Sequence, residues 1–358
     1  MMTPEQSSPQ VGEEQIMLLE RLSNACAVSG DESEVRKIVL NEVRPHAAEV
    51  KVDALGNVLV TKPGSGENRL RVMLSAHMDE VGLMLTHDDG EGIYRFDVVG
   101  SLSATDLAGK AVWIGREHIP GVIGLKPLHL GHDDDRKKPI DIEDLHIDVG
   151  PAKGKEKVGD RATFATTFIR LGPSVRGKAL DNRLGVATLI ELVKHAPPNI
   201  DLLAAFTVQE EIGSRGARVA AFAFNPDLAI ILDSTPAYDL PAWETDENVR
   251  YNTRLGAGPA IYISDAGTLS DPRLVRYMIQ TAETNGIPYQ LRQPGGGGTD
   301  AATIHRQREG IPSISVSIPG RYHHSPASIA RISDWQHTMI LLSAALTCLK
   351  PDVLAIER

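Results

Sequence analysis

Hydrophobic and polar positions along the chain follow two textures. In the first, short apolar runs are followed by stretches with apolar residues every three or four positions, the spacing of a half-buried helix. Ile16, Leu19 and Leu22 make such a stripe over residues 15–24. A second helix is expected over 34–43, after the N-cap candidates Asp31 and Ser33 and before Pro45. Residues 50–52 and 58–60 flank Gly56-Asn57 as a hairpin, and 69–75 reads as a strand leading into Ala76-His77-Met78-Asp79-Glu80. From Val81 to about Thr166 the second texture takes over. Short β-type runs (93–99, 111–114, 122–123, 146–149, 163–166) recur between glycine-rich breaks with little helical periodicity, the pattern of a compact antiparallel β-unit.

After Lys178 the first texture returns. Helices are expected over 182–195, after Ser214, over 271–283, 301–308 and 333–349; strands over 202–208, 228–232, 260–263 and 313–317. Strands alternating with helices predict an α/β fold with a mostly parallel sheet covered by helices on both faces. The β-unit interrupts that rhythm, so it is inserted rather than appended. The expected organisation is a loose polar tail over 1–12, a discontinuous main domain over 13–80 and 167–358, and an inserted β-barrel-like domain over 81–166.

Composition narrows the partners. At 358 residues and 42% apolar the chain can bury a large core. A formal charge of −10 argues against nucleic acid and anionic membrane surfaces. No apolar run approaches the ~20 residues of a membrane span, and the first dozen residues lack the features of a signal peptide. Two distant cysteines, Cys26 and Cys348, suit neither a disulfide framework nor a thiolate metal site, so a reducing cytoplasm is the expected setting. The polar loop His132–Lys138 reads as a solvated excursion.

The chemistry concentrates in Thr207-Val-Gln-Glu-Glu-Ile-Gly-Ser-Arg-Gly-Ala217. Two adjacent carboxylates follow a buried strand, and Gly213 and Gly216 offer the bend that would let both serve one site. His77, Asp181, Glu211, Asp233 and one histidine of Arg321-Tyr-His-His-Ser325 stand at expected strand ends or adjoining loops. Each alone is readable as a cap or a surface group; His77 is the exception, because Asp79 can orient its ring. Together, two imidazoles and three carboxylates with no thiolate suit two divalent cations such as zinc, cobalt or manganese. Glu210 is then left over as a general base. The run Gly295–Gly298 matches no nucleotide-binding pattern and reads as a loop allowing close approach to a substrate, with Thr299 or Asp300 capping the helix behind it.

These segments resemble the glutamyl/deblocking aminopeptidases, dinuclear metallopeptidases with a zinc-peptidase-like fold. The resemblance is carried by Ala76-His-Met-Asp-Glu-Val-Gly82, Gly121-Val-Ile-Gly-Leu-Lys-Pro-Leu-His129, Ile147-Asp-Val-Gly150, Ala179-Leu-Asp-Asn-Arg183, Gln209-Glu-Glu-Ile-Gly213, Gly296-Gly-Gly-Thr-Asp300 and Arg321-Tyr-His-His-Ser-Pro326. It implies that His77 and Asp233 hold one metal and Glu211 and His324 the other, with Asp181 between them. It also implies Glu210 as the base, Asp79 as the residue orienting His77, and His323 as a non-ligand. Further implications are short peptides as substrates, dimerisation through the β-domain, and a homo-oligomer, a tetrahedral dodecamer. Arg321, Asp300 and His129 are candidates for substrate contact. Arg321 could attract an acidic side chain but reads more readily as half of a structural ion pair, and His129 is readable as a residue reaching a neighbouring subunit's site. The rival readings are a hydrolase of other amides, such as N-acyl amino acids, and a non-catalytic peptide-binding or assembly protein. A glucanase would need two carboxyls free of metal.

Overall fold

The structure is a computed structural model that describes residues 9–127, 138–151, 154–240, 252–293, 295–355 and 357. His129, most of the His132–Lys138 loop and residues 1–8 of the expected tail lie outside the described residues. The chain opens with helices α1 (Glu13–Asn24) and α2 (Ser33–Val43), then strands β1 (Glu49–Val52), β2 (Val58–Lys62) and β3 (Leu70–His77). Next come β4 (Gly82–Gly90), β5 (Ile93–Val99), β6 (Ala111–Ile114), β7 (Ile119–Leu125), β8 (Leu145–Asp148) and β9 (Arg161–Phe164). The remainder is β10 (Ile169–Leu171), β11 (Ser174–Gly177), α3 (Leu180–Lys194), β12 (Ile200–Thr207), α4 (Arg215–Phe224) and β13 (Leu228–Pro236). It continues with β14 (Ala260–Tyr262), α5 (Pro272–Thr284), β15 (Gln290–Arg292), α6 (Ala301–Ile304), β16 (Ser313–Arg321), β17 (Ser328–Arg331) and α7 (Ile332–Cys348).

The large sheet has the order β1-β2-β12-β3-β13-β16-β17-β11-β10, with β14 and β15 branching from β16. It is mixed, not mostly parallel as the sequence suggested. Parallel pairing is confined to β12, β3, β13 and β16 at the centre and to the pair β14–β15. The flanks are antiparallel because β1–β2, β10–β11 and β16–β17 are joined by connections too short for a crossover. The central strands are buried along nearly their whole length because both their faces are packed. On β3, Val72, Leu74 and Ala76 join a cluster that includes Leu184 of α3 and Met339 of α7. Met73 points the other way, into a cluster with Ala217 and Ala221 of α4 and Ile304 of α6.

Between β3 and β10 the chain closes a barrel in the order β4-β5-β8-β7-β6-β9. Its interior is filled at a period of two, by Leu83 and Leu85, Tyr94 and Phe96, Val112 and Ile114, Leu145 and Ile147, and Ala162 and Phe164. This cluster is distinct from the two that pack on the large sheet.

Several local expectations shift. The stripe on α1 is buried as read, but the N-cap position of α2 is Glu32, whose side chain makes no capping hydrogen bond, and Ser33 is the first helical residue. The helix expected over 301–308 ends at Ile304. β13 runs past Asp233 to Pro236 and β16 runs to Arg321, so Asp233 sits inside a strand rather than at its end.

Candidate metal centre and active site

His77 closes β3 opposite Thr207 on β12, and Asp233 lies on the neighbouring β13 opposite Ser317. Asp181 stands in the first turn of α3 with non-helical torsions, and the Asp181–Asn182 peptide bond is cis. His324 follows β16 with φ +53°. These elements converge. One ligand atom each from His77, Asp181 and Asp233 lie within 4.8 Å of one another, and so do atoms from Asp181, Glu211 and His324. Asp181 belongs to both groups. The separations are 3.3 Å from His77 Nε2 to Asp181 Oδ1, 3.5 Å to Asp233 Oδ1, and 3.4 Å from His324 Nε2 to Glu211 Oε2.

The orientation of these atoms tests whether a cation fits. His77 Nδ1 faces the backbone carbonyl of Asp79 at 3.2 Å. A carbonyl only accepts, so Nδ1 carries a proton, and Nε2 is the nitrogen left to face the carboxylates of Asp181 and Asp233. Asp181 Oδ1 is buried without a hydrogen-bond partner although Nε2 is 3.3 Å away. A buried carboxylate oxygen this close to an imidazole nitrogen, without a well-formed hydrogen bond between them, suits a shared positive charge such as a cation. Donors bound at ~2.0–2.2 Å in a tetrahedral shell stand about 3.3–3.5 Å apart, close to the separations found.

Electrostatics agree. Burial disfavours the charged form of His77, yet the carboxylates of Asp181, Asp233 and Asp79 outweigh it and hold the imidazole pKa well above its usual value. Burial likewise opposes ionisation of Asp181, but His324, His77 and His323 keep its pKa well below the ordinary range. Glu211 and Asp233 are pushed up, to about 8 and about 6, by burial and by the nearby carboxylate of Asp181. Without a counter-cation, so many acidic groups in one buried place must share protons.

Glu210 belongs to neither ligand group but lines the same cavity. Its Oε1 accepts a hydrogen bond from Ser214 Oγ at 3.2 Å. Burial, with Asp233, Glu211 and Asp300 nearby, raises its pKa well above the usual carboxylate value. The bend presenting both glutamates falls at Gln209 (φ +58°) as well as Gly213 (φ +112°), so the glycines alone do not make it. Gly216 serves another need: a Cβ there would lie 2.2 Å from Asn57 Oδ1 and 2.5 Å from the Val208 carbonyl oxygen.

Asp79 fixes this turn. Its Oδ1 accepts the amide N–H of Glu210 at 3.0 Å, and its Oδ2 accepts that of Glu211 at 3.2 Å and Ser29 Oγ at 2.5 Å. Its carboxylate is 3.6 Å from His77 Nδ1, farther than its own backbone oxygen, so the carboxylate's stronger hold is on the glutamates.

The other candidates lie elsewhere. Asp300 is buried beneath the site, where Oδ2 accepts Ser75 Oγ and Thr207 Oγ1, both at 2.6 Å. It is absent from the cavity lining, and the cap on α6 comes from Thr299 Oγ1, which accepts the Ala301 amide. Arg321 pairs with Asp239 at 2.6 Å, also away from the cavity lining. His323 does border the cavity, with Nδ1 3.4 Å from Ser234 Oγ and 3.6 Å from Asp181 Oδ2.

The cavity has a volume of about 580 Å³. Sequence reasoning missed Tyr262 and Arg292 in its wall, and Ser101, which comes from the barrel. The Arg292 guanidinium lies over the Tyr262 ring and donates to the carbonyls of Ser264 and Gly296. It missed also the support under Asp79. Glu80 is fully buried between Lys178 Nζ (2.8 and 2.9 Å) and Arg183 Nη2 (3.0 Å), and Arg183 also donates to the backbone oxygens of Met78 and Asp79. Thr163 Oγ1, from β9, donates to the same carboxylate at 2.8 Å. Two basic residues flanking Asp181 in an apolar stretch were the available signal.

Residues 56–341 match the sequence profile described as M42 glutamyl aminopeptidase. A putative aminopeptidase of Acetivibrio thermocellus is 36% identical over 340 residues, 93% of this chain and 99% of the relative. Among solved structures, an aminopeptidase of the archaeon Desulfurococcus kamchatkensis superposes with a TM-score of 0.88 at 33% identity, covering 95% of this chain and 96% of that one. The TET1 peptidase of Pyrococcus horikoshii, described as assembling into a tetrahedron or a large octahedral shell, gives 0.83 at 32% identity over 94% and 100%.

Proposed function

We propose, from the premise that the chain belongs to the M42 glutamyl aminopeptidase family and is an aminopeptidase, that it removes N-terminal residues from short peptides at a two-cation centre with Glu210 as the base. The observation that carries this reading is the pair of ligand groups sharing Asp181, with His77 Nε2 and Asp181 Oδ1 side by side and unbonded. His77 and Asp233 would hold one cation, Glu211 and His324 the other, and Asp181 both. The all-nitrogen-and-oxygen donor set suits zinc or cobalt, with manganese tolerated. When bound, such cations polarise a scissile carbonyl and lower the pKa of water.

The chain's own groups do the rest. Glu210, outside both ligand groups and held by Ser214, takes the proton of the attacking water and returns it to the leaving nitrogen. Asp79 keeps the 209–211 turn in place, and its backbone oxygen fixes the His77 tautomer. The loop Gly296–Gly298 offers the substrate backbone a wall without side chains.

The barrel within residues 81–166 is read as an inserted domain through which subunits pair, and the helices as covering both faces of the sheet. A tetrahedral dodecamer is the proposed assembly and the cytoplasm the proposed setting; among the described residues no helix is long and apolar enough to cross a membrane. The test is a panel of unblocked aminoacyl-anilides offered to chelator-stripped enzyme resupplied with zinc or cobalt. Metal-restored cleavage is expected, lost when the substrate amine is blocked. Cleavage of amine-blocked substrates alone would move the reading to another amide hydrolase, and metal binding without any cleavage would move it to a binding protein. Light scattering of the assembled protein tests the dodecamer.

A further inference from the structure

Away from the catalytic cavity, three different ligand types meet where the barrel touches the helical part of the chain. Cys26 lies in the segment after α1, Glu34 in the first turn of α2, and His118 in the connection between β6 and β7. A sulfur, a carboxylate oxygen and an imidazole nitrogen from these residues all lie within 4.8 Å of one another. Glu34 is held from both sides: Oε2 accepts the Cys26 amide at 3.0 Å and Oε1 is 2.6 Å from His118 Nε2. Cys26 is a half-buried free cysteine. Cys26 and Glu34, though not His118, also border a small, partly open cavity of about 20 Å³, room for one water or one ion.

We infer that Cys26, Glu34 and His118 form a separate metal site, a zinc-type clip joining the β6–β7 hairpin of the barrel to α2. Thiolate, carboxylate and neutral imidazole are a zinc donor set, with solvent left to complete the tetrahedron. The thiolate selects against hard cations such as magnesium and calcium. Binding requires Cys26 to release its thiol proton to solvent, and His118 Nε2 to give up the proton it donates to Glu34, either to Nδ1 or to solvent, so at least one proton leaves per ion bound. The Glu34–His118 pair must open from 2.6 Å to about 3.3 Å to share an ion. Both side chains are about a third or more exposed and have room to do so. The two guanidinium groups bordering the same cavity are already engaged, Arg116 by Asp31 at 3.1 Å and Arg161 by the carbonyls of Ser29 and Gly159. No residue of this site belongs to the catalytic ligand groups, and those groups contain no sulfur.

That difference supplies the test. The full chain is stripped with chelator and titrated with cobalt(II), whose thiolate complexes absorb in the near ultraviolet through sulfur-to-metal charge transfer. The expected result is a charge-transfer band saturating at one equivalent per chain. The band should vanish in Cys26→Ser and fall severalfold in His118→Gln and Glu34→Gln, while Cys348→Ser leaves it intact. Zinc content should drop by one ion per chain in Cys26→Ser with aminopeptidase activity retained. Absence of the band in the wild-type protein, its survival in Cys26→Ser, or its indifference to both His118→Gln and Glu34→Gln would overturn the assignment. The contact between Glu34 and His118 would then be an ion pair only.

Discussion

His77 Nε2 and Asp181 Oδ1 stand 3.3 Å apart in a buried place, and neither hydrogen-bonds the other. Residues adjacent to them leave no slack: the His77 ring is fixed by the Asp79 carbonyl, and Asp181 sits where α3 has not yet become helical. The pair is pre-set for a third party, and the testable consequences follow from which groups serve that party and which serve only the scaffold.

Glu210→Gln keeps the size and the Ser214 contact but removes the proposed base. Turnover should fall by about 10²–10⁴-fold, with metal content and KM close to wild type. Steady-state kinetics beside metal analysis check it; retained turnover would assign the proton transfer to another group.

Asp79→Asn leaves one acceptor oxygen where three donors now converge, and turns an NH₂ toward at least one of them. A cost of about 1–3 kcal/mol is expected from the unpaired donors. Activity should drop about 10–100-fold, as for other groups that orient ligands. Denaturant unfolding and kinetics on one preparation separate the two effects, and unchanged values for both would show that the turn holds itself.

Glu80→Gln strands Lys178 and Arg183 as buried positive charges, at a cost of about 3–5 kcal/mol near neutral pH. Burial opposes ionisation of Glu80, but its two cations hold the folded-state pKa below the ordinary value. The pair's contribution is therefore complete above the unfolded carboxylate pKa of about 4.3, and it is lost as pH falls through the lower folded value. The gap between wild type and variant should narrow in acid. Unfolding curves from neutral pH downward check the sign; a gap that widens would contradict it.

Gly100→Ala tests how the barrel supports the site. Gly100 has φ +88°, and a Cβ there would lie 2.8 Å from Val81 Cγ1 and 3.4 Å from Glu211 Cβ. Strain and crowding should cost about 1–3 kcal/mol and loosen the metal group containing Glu211. Weaker retention of one cation on dialysis is the expected readout, and full retention would show that Glu211 is held independently of the barrel loop.

Much of this was legible along the chain, and the remainder has identifiable causes. The period of two that fills the barrel is a local property, so Leu83 and Leu85 or Val112 and Ile114 announce their faces. Asp233 and the adjacent glutamates stand out because they interrupt apolar runs. Strand order is not local: β12 enters between β2 and β3, pairing antiparallel with one and parallel with the other, and nothing within residues 200–207 says so. Asp300 reads as a loop residue until Ser75 and Thr207, more than ninety positions earlier in the chain, are brought beneath it to donate. Gln209 carries no mark of its left-handed torsion, because the Asp79 carboxylate that anchors the following amides comes from a different segment.

The atoms grouped around Asp181 come from α3, from central strands of the large sheet and from the loops that follow them, whereas Ser101, in the same cavity wall, lies between β5 and β6 of the barrel, which has its own core. The cavity wall is thus shared between two separately packed clusters of one chain.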